Sequence, residues 1–128
     1  MPLPIVYIVE DDAAVRDGLS LLFESGGFSV KACDSAEVFL ATYRVNRPGC
    51  IVVDLQMGGM SGLQLQAEIA RRGGTEPIIF LSAHGDSLAR ARAMEGGAAA
   101  FFTKPVDGAL LLGCVRAAIA KTADEDEP

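Results

Sequence analysis

The chain has 128 residues, half of them hydrophobic, and a formal net charge of −6, which suits one domain with its own core. The acidic balance and the scattered Lys and Arg residues argue against direct nucleic-acid binding, which normally shows as a basic patch. The three cysteines do not have zinc-site spacing, and no apolar run is long enough to cross a membrane. Without a recognisable secretory leader, the sequence predicts a cytoplasmic protein that makes no membrane contact.

Short apolar runs alternate with helical patterns along the chain. The first run is followed by a helix that Asp12 caps and that carries Val15, Leu19 and Phe23 on one stripe. The predicted strands are 4–9, 28–32, 50–53, 77–81 and 99–103. Helices are predicted after each strand, starting near Asp12, Ser35, Leu63, Asp86 or Ser87, and Pro105.

Five β-α units in a row predict an α/β fold with a single doubly wound sheet. Strands that are apolar throughout indicate a parallel sheet with helices on both faces. The common order for five such units is 2-1-3-4-5, the flavodoxin-like arrangement. We assign residues 1–121 to this domain and expect residues 122–128, which end in an acidic run, to be a disordered tail.

Polar residues follow four of the predicted strands at the point where each strand ends. They are Glu10, Asp11 and Asp12, then Asp54, Ser82 and Lys104. Ligand sites of such sheets lie at the carboxyl ends of the strands, so we expect these side chains to meet. Clustered carboxylates favour Mg2+, and a carboxylate beside that ion can attack a phosphoryl group while a Lys stabilises its charge. The set is typical of metal-assisted phosphoryl transfer to a carboxylate.

The segments Val9–Asp12, Val53–Asp54, Leu81–Ala83 and Lys104–Pro105, in this order and spacing, resemble the receiver domains of bacterial two-component response regulators. The resemblance covers about residues 4–121, so 1–121 is the expected receiver domain. It implies a signalling switch, not an enzyme, that takes a phosphoryl group from a histidine kinase or phosphotransfer protein. The output is then expected on the face of the fourth helix, fifth strand and fifth helix, toward a partner or a second copy.

The resemblance also implies which residues hold the phosphoryl group and the metal ion. The resemblance implies that Asp54 is the phosphoacceptor. It also implies that Asp54 and Asp11 bind Mg2+ directly and that Glu10 binds it through a water molecule. Gln56, two residues after the phosphoacceptor, would bind the metal with its backbone carbonyl. One departure lies nearby, because the proline usual after Met57 is replaced by two glycines at 58–59. We therefore expect a more flexible loop there.

Other positions match the receiver switch. Ser82 matches the hydroxyl that moves toward the phosphoryl group, and Lys104 the lysine that pairs with that group; Pro105 after it is commonly a cis peptide. Phe101 matches the aromatic switch position, although a plain core role explains it equally well. His84, the only histidine, is a candidate for influencing hydrolysis of the acyl phosphate, although an exposed loop histidine is the simpler interpretation.

Three alternatives remain open at the level of sequence. A phosphatase with an aspartyl-phosphate intermediate would normally carry a second acid two residues after its nucleophile, where Gln56 stands. A flavin-binding electron carrier would need a phosphate loop after the first strand, where three acids would repel a phosphate. A receiver-like module that binds proteins without being phosphorylated would not need the complete set of reacting residues. Arg16 also has a receiver counterpart, with no role assigned from the sequence.

Overall fold

The computed structural model describes residues 4–45, 48–84 and 87–126, with side chains described as far as residue 122. Strands and helices alternate through this part of the chain. The strands are β1 (Ile5–Val9), β2 (Ser29–Cys33), β3 (Gly49–Asp54), β4 (Ile78–Ser82) and β5 (Ala100–Thr103). The helices are α1 (Ala13–Ser25), α2 (Ala36–Thr42), α3 (Gly62–Arg71), α4 (Ser87–Glu95) and α5 (Gly108–Asp126). The predicted alternation is confirmed, and most boundaries move by only one or two residues.

The strands form one parallel sheet in the predicted order, β2-β1-β3-β4-β5. β1 lies between β2 and β3, and Val9 at its carboxyl end is paired with Val53. The direction of winding changes at β1, because β2 lies on one side of it and the later strands lie on the other. The carboxyl ends of β1 and β3 therefore flank the switch point, where open α/β sheets bind ligands.

Each face of the sheet has its own hydrophobic core, because successive strand residues point to opposite faces. Helices α2, α3 and α4 cover the face that includes Val53, Phe80 and Phe101. Helices α1 and α5 cover the other face, which includes Val52 and Leu81. Helices on both faces, as predicted, leave the strand ends as the place where polar side chains can gather.

Side-chain caps begin the first two helices where the sequence predicts them. The Asp12 carboxylate accepts a hydrogen bond from the Val15 N–H at 3.1 Å, and the Ser35 hydroxyl accepts one from the Val38 N–H at 3.1 Å. Such bonds satisfy donors that have no partner inside the helix. Asp86, one of the two predicted caps of α4, lies outside the described residues.

Helix α4 is anchored by small side chains. Its buried residues are Ala89 and Ala93, whereas Leu88 and Met94 are 60% and 44% exposed. Small side chains bury little apolar area, so α4 is held to the sheet less firmly than a helix with large core residues. This agrees with the sparse apolar pattern of its sequence.

Helix α5 extends further than the sequence suggested. It continues to Asp126, whereas residues 122–128 were predicted to be a disordered tail; residues 127 and 128 lie outside the described part. Extending an existing helix adds a hydrogen bond for each ordered residue without a new nucleation cost, and the Thr122 hydroxyl donates to the Ala118 carbonyl at 3.0 Å. Of the helices described here, none is both long and apolar enough to span a membrane.

Candidate functional site

The carboxyl edge of the sheet brings three acidic side chains together. Glu10 and Asp11 follow β1, and Asp54 is the last residue of the neighbouring β3. Each of the three offers a carboxylate oxygen, and these oxygens lie within 4.8 Å of one another. Glu10 and Asp54 are buried, whereas Asp11 is exposed. The sequence prediction that these residues meet is therefore confirmed.

Lys104, directly after β5, provides the positive charge in this cluster. Its Nζ lies 2.8 Å from Glu10 Oε1 and 3.6 Å from Asp54 Oδ1. Burial opposes the charged form of Lys104, but the bond with Glu10 and the charge of Asp54 outweigh it and raise the pKa of the amine. Lys104 thus stays an ammonium group between two carboxylates. The Lys104-Pro105 peptide bond is cis, as the resemblance implied.

Asp54 has a perturbed acidity. Burial, followed by the charge of Glu10, raises the pKa of its carboxyl from 3.8 to about 6, while Lys104 acts in the opposite direction. The Gln56 N–H donates to Asp54 Oδ1 at 3.4 Å and fixes the carboxylate from the loop side. At neutral pH the carboxyl group of Asp54 is therefore mostly ionised, and the Gln56 N–H orients it.

The donor set fits one hard divalent cation. The oxygens around an octahedral Mg2+ lie about 3–4 Å apart, because each sits about 2.1 Å from the ion. The oxygens of Glu10, Asp11 and Asp54 approach that spacing, and one ammonium group cannot balance three carboxylates. A cation that takes oxygen ligands would relieve the remaining repulsion. Gln56, whose side chain is exposed, is close enough in sequence to add its carbonyl.

Ser82, at the end of β4, does not contact Asp54 in this conformation through any described hydrogen bond. Its hydroxyl donates to the His84 carbonyl at 2.8 Å and accepts from the His84 N–H at 3.2 Å. Ser82 is buried and closes a local turn, while the side chain of His84 is exposed. Phe101 is buried, with its ring centroid 6.2 Å from that of Phe80, so it belongs to the core in this state.

Arg16 has a structural role that the sequence did not reveal. Its Nη1 donates to the carbonyl oxygens of Glu10, at 2.9 Å, and of Asp11, at 3.4 Å. These bonds tie α1 to the backbone segment that carries both acidic side chains.

Comparison with known proteins shows the family to which the chain belongs. A model of the response regulator receiver domain matches residues 6–116. The chain belongs to the response regulator receiver domain family. Response regulator protein TodT of Pseudomonas putida is 44% identical over 115 residues, which are 90% of this chain and 51% of TodT. Transcriptional regulatory protein FixJ of Azorhizobium caulinodans is 40% identical over 120 residues, 94% of this chain and 57% of FixJ.

Solved structures of receiver domains have the same fold as this chain. The crystal structure of FixJ-N is 34% identical, with a TM-score of 0.86, and the match covers 94% of this chain and 96% of FixJ-N. The response regulator StyR is 39% identical, with a TM-score of 0.91, covering 97% of this chain and 63% of StyR. The receiver domain thus spans a little over half the length of the relatives TodT and FixJ.

The raised pKa of Asp54 predicts a pH-dependent stability for this receiver domain in EDTA. Because the folded-state pKa, about 6, lies above the ordinary 3.8, ionisation of Asp54 disfavours the fold, and stability is lost as pH rises between these values. Asp54→Asn removes the ionisable group and therefore the loss of stability that its ionisation causes. At pH 8 it should raise the free energy of unfolding by about 1–2 kcal/mol, with little gain at pH 3.5. Urea unfolding across this pH range measures the difference; a gain that is equal at both pH values would contradict it.

Proposed function

We propose that this receiver domain is a phosphorylation-dependent switch in which Asp54 accepts a phosphoryl group from a histidine kinase or phosphotransfer protein, with Mg2+ as cofactor. One observation carries the proposal: the Asp54 carboxylate lies within reach of both a metal-type acid cluster and an ammonium group, 3.6 Å from Lys104 Nζ. That combination stabilises negative charge on a phosphoryl group approaching Asp54.

The nucleophile in the proposed transfer is the ionised and oriented carboxylate of Asp54. A carboxylate oxygen forms a bond to phosphorus while the bond between phosphorus and the donor breaks, and the donor keeps the electron pair. With a pKa of about 6, Asp54 is mostly ionised at neutral pH and needs no general base. Mg2+, when held by Asp11, Glu10, Asp54 and the Gln56 carbonyl, would neutralise charge on the transferring oxygens. The product is an acyl phosphate on Asp54.

After transfer, Lys104 would turn from the acids toward the phosphoryl group. Its ammonium group is shared between Glu10 and Asp54 before transfer. A new phosphoryl oxygen on Asp54 would be a stronger partner, since it carries more negative charge than the carboxylate oxygen it replaces. The same step would loosen the bond between Lys104 and Glu10.

Ser82 connects the chemistry to the surface of the domain. To donate to a phosphoryl oxygen, its hydroxyl would have to give up the 2.8 Å bond to the His84 carbonyl. That exchange would shift the loop after β4 and the weakly anchored α4 behind it. Phe101 would move with the loop, and His84, on that loop, is the candidate for tuning hydrolysis of the acyl phosphate.

The proposed output is the face formed by α4, β5 and α5. The small buried residues of α4 support a surface that can change at low cost. FixJ of A. caulinodans is named a transcriptional regulatory protein, so we propose that this face controls a transcriptional output, either directly or by pairing with a second copy. The domain thereby acts as a signalling module whose own slow dephosphorylation resets it.

Incubation of the purified domain with acetyl phosphate tests the proposal. With Mg2+ we expect an intact-mass gain of one phosphoryl group, which hydroxylamine should remove because the bond is an acyl phosphate. With EDTA in place of Mg2+ the gain should vanish. Incorporation that is insensitive to EDTA, or a product stable to hydroxylamine, would contradict a metal-assisted aspartyl phosphate.

A further inference from the structure

The loop between β3 and α3 is held by acidic side chains from two other elements. The Gly58 N–H donates to Asp11 Oδ2 at 3.3 Å, and the Met60 N–H donates to Glu37 Oε2 at 3.2 Å. Between them, Gly59 has φ +80°. Since Gly is among the residues with the greatest backbone freedom, two adjacent glycines would leave this loop poorly ordered without such bonds.

The Glu37 carboxylate also packs directly on the loop. A Cβ atom at Gly59 would lie 2.7 Å from Glu37 Oε2, so the carboxylate occupies the space that a side chain would need. Acids are common in the first turn of a helix because they interact favourably with its N-terminal dipole, and Glu37 is in the first turn of α2. That general role does not account for a hydrogen bond to a loop residue 23 positions away.

We propose that Glu37 is a positioning residue for the metal site, which it orders by holding the Gly58–Met60 segment. The inference rests on the proposed function, because the loop carries Gln56, the proposed carbonyl ligand. Among the residues that the structure describes, the acidic cluster of metal-ligand type is formed by Glu10, Asp11 and Asp54. Glu37 thus acts on the metal through the loop and does not bind the ion.

With a metal ion bound, the loop would depend more on its hydrogen bond to Glu37 and less on its hydrogen bond to Asp11. Asp11 Oδ2 accepts the Gly58 N–H in this structure, and a cation on Asp11 would draw electron density away from that bond. The bond from the Gly58 N–H to Asp11 would then be weaker, while the Gln56 carbonyl would need to be held in place for the metal. The bond from the Met60 N–H to Glu37 does not involve a proposed metal ligand, so a bound cation would leave it in place.

Two substitutions at Glu37 and one control test this role. Glu37→Ala removes the acceptor, whereas Glu37→Gln keeps an acceptor oxygen and removes the charge. Glu24→Ala makes the same change of charge on the exposed side of α1. Mg2+ affinity is measured by calorimetric titration with MgCl2, and the exchange of the Met60 amide proton is measured by NMR.

We expect Glu37→Ala to weaken Mg2+ binding about fivefold, the effect of losing one exposed hydrogen bond, and to speed exchange of the Met60 amide proton. Glu37→Gln should retain most of the affinity, and Glu24→Ala all of it. Unchanged Mg2+ affinity in Glu37→Ala would overturn the proposal, as would equal losses in the Ala and Gln variants, because the effect would then be one of charge. If the parent domain binds Mg2+ yet takes no phosphoryl group, the proposed function fails while the role of Glu37 stands.

Discussion

Asp54→Ala is expected to abolish phosphoryl uptake from acetyl phosphate, because the substitution removes the only nucleophile that we assign to the reaction. The acids Glu10 and Asp11 remain in place, and so does Lys104. Glu10 is bonded to Lys104 at 2.8 Å, and Asp11 is expected to be occupied by the metal. Neither should replace Asp54, so the loss should be complete and not partial.

The control for this experiment is Asp17→Ala, which removes an exposed acid from α1. It should be labelled at the rate of the parent domain. Asp54→Ala should still fold, since removing a carboxylate with a raised pKa relieves repulsion at neutral pH. Circular dichroism and urea unfolding confirm this. If acetyl phosphate labels the folded Asp54→Ala variant at the rate of the parent domain, the assignment of Asp54 as the phosphoacceptor is wrong.

Lys104→Ala is expected to slow phosphoryl uptake about 100-fold, the usual effect of removing one charged group that stabilises the transition state. Mg2+ binding should respond in the opposite direction. Lys104 competes with a cation for Glu10 and Asp54, so its removal should tighten Mg2+ binding or leave it unchanged. Slower transfer without weaker metal binding is the signature of a residue that acts on the phosphoryl group.

The rate of phosphoryl uptake is measured as the rate constant for labelling with acetyl phosphate at saturating Mg2+. The Mg2+ affinity is measured by titration with MgCl2. Lys121→Ala, which removes an exposed lysine of α5, serves as the control for net charge. Lys104→Arg keeps the charge but changes its geometry, so it should recover part of the rate. If Lys104→Ala loses Mg2+ affinity in parallel with its rate, the residue would instead be a structural support for the metal site.

The fold could be predicted from the sequence because its signals are local and mutually consistent. Strands β1, β3, β4 and β5 are short apolar runs, and glycines follow helices α1, α3 and α4. Gly27 and Gly97, just after α1 and α4, have φ of +91° and +97°, as glycines that follow helices commonly do. A row of such units leaves few possible topologies, so the sheet order followed as well.

The site could be predicted as far as topology determines it. Parallel strands end at one edge, so residues after β1, β3, β4 and β5 had to lie near one another. Hydrogen bonds made by loops could not be predicted in the same way. The bond of Ser82 to the His84 carbonyl and that of Glu37 to Met60 depend on backbone paths that Gly-rich or short loops leave open. Arg16 contacts carbonyl groups, which every residue has, so its partners had no sequence signal.

The C-terminal end of α5 could not be predicted from the local composition of the sequence. The run of acids after Ala123 suggested a disordered tail, because like charges repel and their composition favours exposure to water. The helix nevertheless continues to Asp126. Local composition measures the preference of a segment by itself, whereas a segment attached to an existing helix needs no nucleation step.

Chemical mapping of the phosphorylated residue tests the central claim most directly. Borohydride reduces an aspartyl phosphate to homoserine, and peptide mass spectrometry then locates the modified position after phosphorylation with acetyl phosphate and Mg2+. We expect homoserine at position 54 and none at positions 11 and 12. Homoserine at position 11 or 12, or phosphate retained on a serine such as Ser82, would contradict it.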